Sequence, residues 1–390
     1  MKDKTQLLSW NYCFIFWFLT DAWFNHTTIG TIGQIIFMLY SLYWCYNKKE
    51  FHSSALFVIY IIFCCVCYLN VYLGHAINST RSLFMCDVVL RNFIFLFALY
   101  HYAYNTGFDN FMKILTTACF VSSIGIILIN YSRSGILYMH GDTNVAGLIN
   151  ANIQSVLSGF LIAYLLIKKQ YTGMYKWVIL LLLLFVILSG TKKSIISMGV
   201  IICMYILLKS PSHIIRNLIV VLGLFVFSYI ILIKIPFIYE MIGSRFESLY
   251  AFWEGGDTDA STNTRDRFIE LALLYWADNP IWGNGLDSFG VLWGDETTYS
   301  HNNYVELLCS VGLVGLISFY LLYLIPLIKL LRTYIKTHSE SAILGLCILI
   351  SCLVLDYAMV TYFERVPYIL LVLIYILVKE SSNRKILYRS

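Results

Sequence analysis

The sequence predicts an all-α integral membrane protein: a polytopic bundle of about twelve transmembrane helices, with one large outer loop that contains a short amphipathic helix. Of the 390 residues, 59% are hydrophobic and only 13% are charged, and the mean hydropathy is +0.73. This composition is far from that of ordinary soluble proteins. Stretches such as KWVILLLLLFVILSG are continuously apolar, whereas the strands of a membrane β-barrel alternate between polar and apolar residues.

Apolar stretches long enough to cross a bilayer recur along the whole chain, with no globular soluble segment between them. We therefore expect residues 1–390 to form a single polytopic membrane domain. The expected spans, each uncertain by several residues, are about 7–24, 29–46, 54–73, 83–104, 111–130, 145–167, 174–189, 194–208, 214–234, 303–330, 340–362 and 366–379.

The distribution of Lys and Arg predicts the orientation, because basic residues near helix ends are retained on the cytoplasmic side. Most of the 27 basic residues fall on one side when both termini are placed in the cytoplasm. The longest connection, residues 236–302, then lies on the outer face of the membrane.

Some basic residues are assigned to the outer face against this bias, and their charge requires an explanation. Surface ion pairs with nearby acids are one explanation, and we favour it for Arg245 and Arg267. It does not suit Lys192 and Lys193, because their short connection, LSGTKKSIISMG, contains no acidic residue. We expect these two lysines, with Arg133 as a further candidate, to bind an outward-facing anion.

The outer loop contains a segment, TRDRFIELALLYWADNP, that predicts an amphipathic helix. Thr262 or Thr264 is a candidate N-cap, and Pro280 ends the helix. The apolar residues expected to share one face are Phe268, Leu271, Ala272 and Tyr275. We place Arg265 and Arg267 in the first turn, where free backbone N–H groups and the helix dipole favour an anion such as a diphosphate. The alternative is that Arg265 only tethers the loop to lipid headgroups or to an acid.

The next polar cluster, SHNNYVELL, lies at the head of a long apolar segment. By itself, His301 more often anchors a helix at the membrane interface than acts in catalysis. His140, in YMHGDTN, is the other histidine that we consider as a base. Between the loop helix and His301, the glycines of NPIWGNGLDSFG are expected to let the backbone turn close to a ligand.

The order of these motifs resembles the signature region of the O-antigen ligase and polymerase superfamily, bacterial enzymes of surface polysaccharide assembly. The pattern is an Arg before an amphipathic helix, then Pro-x-x-Gly-x-Gly, then His-Asn before a helix with Gly-x-x-Gly. The matching residues are Arg265, Pro280, Gly283, Gly285, His301, Asn302, Gly312 and Gly315. We expect the last two to permit close helix packing.

Two weaker matches lie upstream. INANIQSVLSG resembles the family's Asn-Pro-Asn segment with Ala151 in place of Pro, and LSGTKKSII resembles a segment in which the family carries Ser-Arg. Lys192 stands at that basic position. Since the amine of a lysine lacks the bidentate fork of a guanidinium, the role of the family's arginine transfers less directly to Lys192.

The resemblance implies a membrane-embedded glycosyltransferase whose donor is an undecaprenyl-diphosphate-linked glycan, on the outer face of the bacterial cytoplasmic membrane. The acceptor is a second lipid-linked oligosaccharide, and the bilayer, a chain-length regulator and a flippase of the same pathway are further expected partners. We expect no cofactor, no metal and no nucleic acid.

The predicted mechanism is direct, inverting displacement by a sugar hydroxyl at the anomeric carbon. His301 is the expected general base, since its reference pKa near 6.5 suits neutral pH. Arg265 and Lys192 are expected to stabilise the leaving diphosphate, with Lys193, Arg267 and Arg133 behind them. Asn302 and Glu306 are expected to support the histidine or the acceptor.

Three functions compete at this stage. A polymerase joins lipid-linked repeat units, a ligase transfers the finished chain to a lipid A core, and a flippase only moves the lipid-linked oligosaccharide. We favour the polymerase, with the ligase as the alternative. The flippase is less favoured, since transporters built for alternating access carry related halves and no internal repeat is detectable here.

Overall fold

The computed structural model describes residues 2–24, 27–135, 137, 139, 151–244, 246–247 and 260–387. Within these ranges the chain is helical and has no β-strand, which confirms the predicted all-α class. The first nine helices are α1 Lys2–Trp23, α2 Thr28–Lys48, α3 Ala55–Tyr72, α4 Ser79–Thr106, α5 Phe108–Ser134, α6 Ala151–Ile167, α7 Met174–Ser189, α8 Lys192–Lys209 and α9 Ile214–Lys234. The later ones are α10 Ala260–Asp278, α11 Ser288–Trp293, α12 Asn303–Thr337, α13 Glu340–Asp356 and α14 Arg365–Leu387.

Each of the twelve predicted spans overlaps one of these helices. The span predicted at 340–362 is too long, because α13 ends at Asp356 and residues 357–362 are not helical. Residues 145–150 of another span lie outside the described residues. Six helical segments in the described part of the chain are long and apolar enough to cross a membrane. They are Thr28–Lys48, Ala55–Tyr72, Ser79–Thr106, Phe108–Ser134, Pro211–Lys234 and Asn303–Thr337, while α6 and α7 are shorter apolar helices. The chain is therefore a polytopic helical membrane protein; twelve crossings and their orientation remain predictions.

The chain divides into two compact units, each discontinuous in sequence. Unit 1 contains Met1–Phe51 and Ala98–Glu247, and unit 2 contains His52–Phe97 and Ser248–Ser390. Unit 1 therefore carries Arg133, Lys192 and Lys193. Unit 2 carries Arg265, Arg267, His301, Asn302 and Glu306.

Aromatic side chains fill much of the core of unit 1. The ring of Phe14 stacks on Tyr102 with 4.8 Å between centroids, and Trp17 stacks on Phe37 at 5.6 Å. These rings are almost completely buried. The Tyr102 hydroxyl donates to Asn11 Oδ1 at 3.0 Å, which provides the polar partner that a buried phenol requires.

In unit 2, α12 packs against α3, α10, α13 and α14. The middle of α14 is apolar on all sides, and its residues Tyr368 to Leu377 are almost completely buried, as expected for a helix enclosed by others. The hydroxyl groups of Tyr60 and Tyr368 share a hydrogen bond of 2.8 Å. Unit 2 thus surrounds α12, the helix that begins directly after His301.

Candidate functional site

The amphipathic helix predicted in the loop is α10, and its apolar face is confirmed. Phe268 and Ala272 are buried in a cluster with Phe289, Val305 and Cys309. The other two predicted face residues, Leu271 and Tyr275, pack against this cluster. Because Val305 and Cys309 belong to the first turns of α12, the cluster fixes α10 against the helix that follows His301.

The start of α10 differs from the prediction. The helix begins at Ala260, before both candidate N-caps, because Ser261 to Asn263 continue the helical backbone. Arg265 therefore lies in the second turn, and the idea that it shares the free N–H groups of the first turn is wrong. The predicted end is confirmed, since α10 stops at Asp278, shortly before Pro280.

The Pro-x-x-Gly-x-Gly motif docks onto a break in α12. Gly312 has φ 63° and ψ −164°, which interrupts the helix. Around the break, Leu313 N donates to Pro280 O at 3.0 Å and Val314 N donates to Ile281 O at 3.2 Å. In the opposite direction, Asn284 N donates to Cys309 O at 2.9 Å and Gly285 N to Ser310 O at 2.8 Å. The loop therefore satisfies backbone groups that the broken helix leaves unpaired, as apolar surroundings require.

This docking explains the glycines of both motifs. Gly283 has φ 73°, and a Cβ added there would lie 2.6 Å from Gly312 N. A Cβ on Gly312 would collide with the Ile281 carbonyl. The backbone at Gly283 and Gly285 therefore approaches α12, while proximity of this loop to a ligand stays a prediction. Gly312 permits close contact with the loop at Ile281 and Gly283, whereas close packing against a neighbouring helix was predicted for it.

Asn302 caps α12. Its side-chain oxygen accepts hydrogen bonds from Tyr304 N at 2.9 Å and from Val305 N at 3.3 Å, and the residue is 2% exposed. Ser300 Oγ donates to the Asn302 carbonyl at 3.0 Å. Asn302 thus fixes the point at which the chain leaves the loop and enters the helix.

Glu306 lies one turn into α12 and reaches back to the loop. Its Oε2 accepts from Ser300 N at 2.8 Å and its Oε1 from Ser310 Oγ at 3.5 Å. The residue is 1% exposed. This geometry is that of a positioning residue for the three-residue loop 300–302.

His301 lies between these two anchors, with φ 59°. This left-handed conformation is rare for a residue with a Cβ, and such conformations cluster at functional sites. The imidazole stacks on Phe268 with 6.3 Å between centroids and 4° between planes. The Tyr299 ring also contacts the imidazole. Its centroid lies 4.3 Å from that of the His301 ring, and the two ring planes are tilted by 52°. The imidazole is therefore held in one orientation while remaining partly exposed.

Charges of both signs act on Tyr299. Burial raises the pKa of its hydroxyl above the ordinary value, the charge of Glu364 raises the pKa further, and the charge of Arg265 lowers it. Phe363 packs edge-on against the Tyr299 ring at 6.5 Å. Arg265, which is exposed, and Glu364 thus belong to the electrostatic environment of the segment that carries His301.

The turn between α13 and α14 is joined to the start of α12. Asn303 Oδ1 accepts from Thr361 N at 2.9 Å and from Tyr362 N at 3.2 Å. Asp356 is buried and accepts from Thr361 Oγ1 at 2.7 Å and from Tyr320 Oη at 2.8 Å. No site role was predicted for this turn or for its residues Phe363 and Glu364, although TYFERVP, a polar and aromatic stretch that ends in a proline, was a signal.

Two other arginines of unit 2 have structural partners. The Arg267 guanidinium lies over the Trp293 ring at 5.2 Å from its centroid, so a ring rather than an acid accounts for its position. Arg81 pairs with Asp287 at 2.7 Å and with Glu296 at 2.8 Å. Burial raises the pKa of Asp287, and the Arg81 charge partly offsets that effect.

Arg245 lies outside the described residues, as does His140.

The two weaker upstream motifs meet within unit 1. Thr191 Oγ1 donates to Asn152 Oδ1 at 2.5 Å, and the hydroxyls of Ser155 and Ser194 share a hydrogen bond of 2.6 Å. Lys192 and Lys193 are the first two residues of α8 and are partly exposed. The first turn of a helix carries a partial positive charge, so two lysines there are unfavourable unless an anion offsets them. Their position is consistent with the expected anion.

Arg133 has a simpler explanation in unit 1. It lies in the last turn of α5, before Gly135 at φ 69°. A cation there complements the negative end of the helix dipole. Its position therefore gives no independent support for a role in anion binding.

The comparison with protein families agrees with the motifs. Residues 177–320 match the family model described as O-antigen ligase, and this segment contains every predicted site residue except Arg133 and the alternative base His140. The match confirms the resemblance to the O-antigen ligase and polymerase superfamily, whose members are glycosyltransferase-like enzymes of bacterial membranes. A search of curated proteins found no match.

Proposed function

We propose that this chain, whose residues 177–320 match the family model described as O-antigen ligase, is a polymerase of lipid-linked oligosaccharide repeat units. In this proposal it acts on undecaprenyl-diphosphate-linked donors and acceptors, at the outer face of the bacterial cytoplasmic membrane. The reaction is an inverting, metal-independent glycosyl transfer. The single observation that carries the proposal is the fixed imidazole of His301 beside α10, the helix that carries Arg265.

In the proposed reaction, an acceptor hydroxyl forms a bond to the anomeric carbon while the bond from that carbon to the diphosphate oxygen breaks. The hydroxyl proton passes to His301, and the leaving lipid diphosphate retains the electron pair and the negative charge. Diphosphate is a good leaving group, so charge stabilisation at this group is more important than protonation. Arg265 provides this charge in unit 2.

The neighbours of His301 act through its position. Asn302 fixes the start of α12 and Glu306 holds Ser300 N, so both sides of His301 are fixed before substrate binds. Such preorganisation contributes to catalysis because the base need not be ordered in the transition state. In unit 1, Lys192 and Lys193 remain proposed anion-binding residues, and Lys192 stands at the family's basic position.

The ligase is the second candidate, because the matched family model is described as O-antigen ligase. Both functions use the same chemistry at the anomeric carbon and differ in the acceptor. The flippase remains the least favoured candidate, since it requires no base and no fixed imidazole.

Surface polysaccharide from a deletion strain of the source bacterium distinguishes these functions. Loss of a polymerase leaves lipid A core that carries a single repeat unit. Loss of a ligase leaves unmodified core while lipid-linked polymer accumulates. If the deletion strain shows neither core with a single repeat unit nor accumulated lipid-linked polymer, a transport function is favoured and the proposed function is contradicted.

Complementation of that strain with His301→Ala tests the base. We expect polymer formation to fall by roughly 10²–10⁴-fold. The matched control is His338→Ala, because His338 also has a positive φ, 47°, and lies at the other end of α12. Normal polymer from His301→Ala at wild-type membrane levels would show that His301 is not the base.

A further inference from the structure

Unit 1 contains a cavity of about 310 Å³ that has no part in the proposed transfer. It is formed where the start of α5, the end of α6 and the start of α7 meet. The ring of Phe108 packs edge-on against Tyr164 at 6.0 Å and joins the first two of these helix ends. The orientation predicted from Lys and Arg puts these helix ends on the cytoplasmic side.

Two lysines dominate the charge of the cavity. Lys113 and Lys168 line it together with one acid, Asp109. Lys113 and Asp109 are exposed and Lys168 is half-buried. The described lining therefore has a net positive charge, with its cations on two different helix ends.

The rest of the lining combines apolar and hydroxyl groups. Met112 and Leu165 are buried beside the cavity, while Tyr164 and Tyr175 add phenol groups to its lining. Tyrosine is typical of the membrane interface, where one part of the ring is apolar and the hydroxyl contacts water. A cationic cavity with an apolar wall at helix ends is suited to a lipid headgroup.

We propose that this cavity binds the phosphate group of an anionic phospholipid of the cytoplasmic leaflet. Lys113 and Lys168 contact the phosphate, and the apolar wall contacts the glycerol and the first carbons of the acyl chains. The volume is at the lower end for ligand cavities, which fits a headgroup and is too small for a lipid-linked oligosaccharide. This binding does not depend on the proposed transferase activity.

Lipid binding to the purified full-length protein in a non-ionic detergent tests the proposal, with native mass spectrometry as the readout. The probes are phosphatidylglycerol, phosphatidylcholine and inorganic phosphate. We expect phosphatidylglycerol to bind in preference to phosphatidylcholine, and the Lys113→Gln/Lys168→Gln variant to lose at least roughly tenfold in affinity. The matched control is Lys169→Gln/Lys176→Gln, which removes the same charge from exposed lysines outside the cavity.

Each outcome decides for or against the lipid. Selective binding that the cavity variant loses and the control variant retains supports the proposal. Equal binding of both lipids, or an equal loss in both variants, overturns it. Inorganic phosphate that binds alone as tightly as phosphatidylglycerol also overturns it, in favour of a soluble phosphate ligand. Thermal unfolding without lipid should be the same for both variants.

Discussion

Phe268 and His301 lie with their rings nearly parallel, at 4° between planes and 6.3 Å between centroids. Phe268 belongs to the buried face of α10, so the packing of α10 also sets the orientation of the imidazole. Arg265 lies three residues earlier on the same helix. The position of one helix therefore determines where both the proposed base and the proposed cation of unit 2 lie.

Arginine at position 265 should be more important for activity than arginine at position 267. We expect Arg265→Lys to lower polymer formation at least about tenfold, because an amine cannot form the bidentate contact of a guanidinium with phosphate. The control is Arg267→Lys, two residues away, which should remain near wild type because Arg267 lies over Trp293. Polysaccharide from complemented deletion strains is the measurement. Equal losses in the two variants would argue against a specific role for Arg265.

Two substitutions at Asn302 separate helix capping from substrate binding. Asn302→Ala removes the cap and should lower the free energy of unfolding by about 1 kcal/mol. Asn302→Asp retains the capping oxygen but removes the amide donor. If the amide contacts substrate, Asn302→Asp should unfold at the wild-type temperature in detergent yet lose activity. Wild-type activity of Asn302→Asp would leave capping as the whole role of this residue.

Glu306 should affect activity through the loop that it holds. Glu306→Gln retains an oxygen that can accept from Ser300 N, so we expect it to retain most of the activity. Glu306→Leu removes this acceptor, and we expect a loss of roughly 10²-fold because the base is then no longer fixed. Membrane levels and the polymer product are measured for both variants. A larger loss in Glu306→Gln than in Glu306→Leu would indicate a direct chemical role for the carboxylate.

Arg81 should stabilise unit 2 in a pH-dependent way. Burial already raises the pKa of Asp287, and the loss of the Arg81 charge would raise it further. A carboxyl with a raised pKa in the folded state favours folding at low pH, and this contribution is lost as pH rises through the folded pKa. Arg81→Ala should therefore cost about 1–2 kcal/mol at pH 7 and less near pH 5. Thermal unfolding at both pH values tests this expectation, with Arg91→Ala as the control on the same helix.

The sequence was sufficient for the helices, but not for the contacts that hold them. Apolar runs of membrane length and the face of α10 follow from composition and periodicity, and both agree with the structure. The role of Gly312 did not follow, because a glycine that permits helix packing and one that breaks a helix have the same sequence pattern. Only the hydrogen bonds from the loop at Pro280 and Ile281 reveal the break.

The contacts of the candidate site were likewise only partly predictable from the sequence. The motif identified His301 and Asn302 through local order along the chain. Glu364 is 63 positions after His301, and its effect on Tyr299 depends on the packing of α13 and α14 against α12. Thr262 and Thr264 are good caps and predict that Arg265 lies in a first turn, yet helical residues continue before them to Ala260. A local capping preference is therefore only a weak guide to where a helix begins.

The break at Gly312 should be one of the most sensitive positions of unit 2. Gly312→Ala would place a Cβ against the Ile281 carbonyl, at backbone angles that are essentially restricted to glycine, and this conformation alone costs about 1–3 kcal/mol. Gly283→Ala should behave alike, because its Cβ would lie 2.6 Å from Gly312 N. The control is Gly199→Ala in α8, where no atom lies within 4 Å of the added Cβ and where alanine favours the helix. We expect both loop variants to unfold at clearly lower temperature in detergent, and Gly199→Ala to match or exceed wild type. If Gly312→Ala were as stable as the control, the loop would not depend on the break.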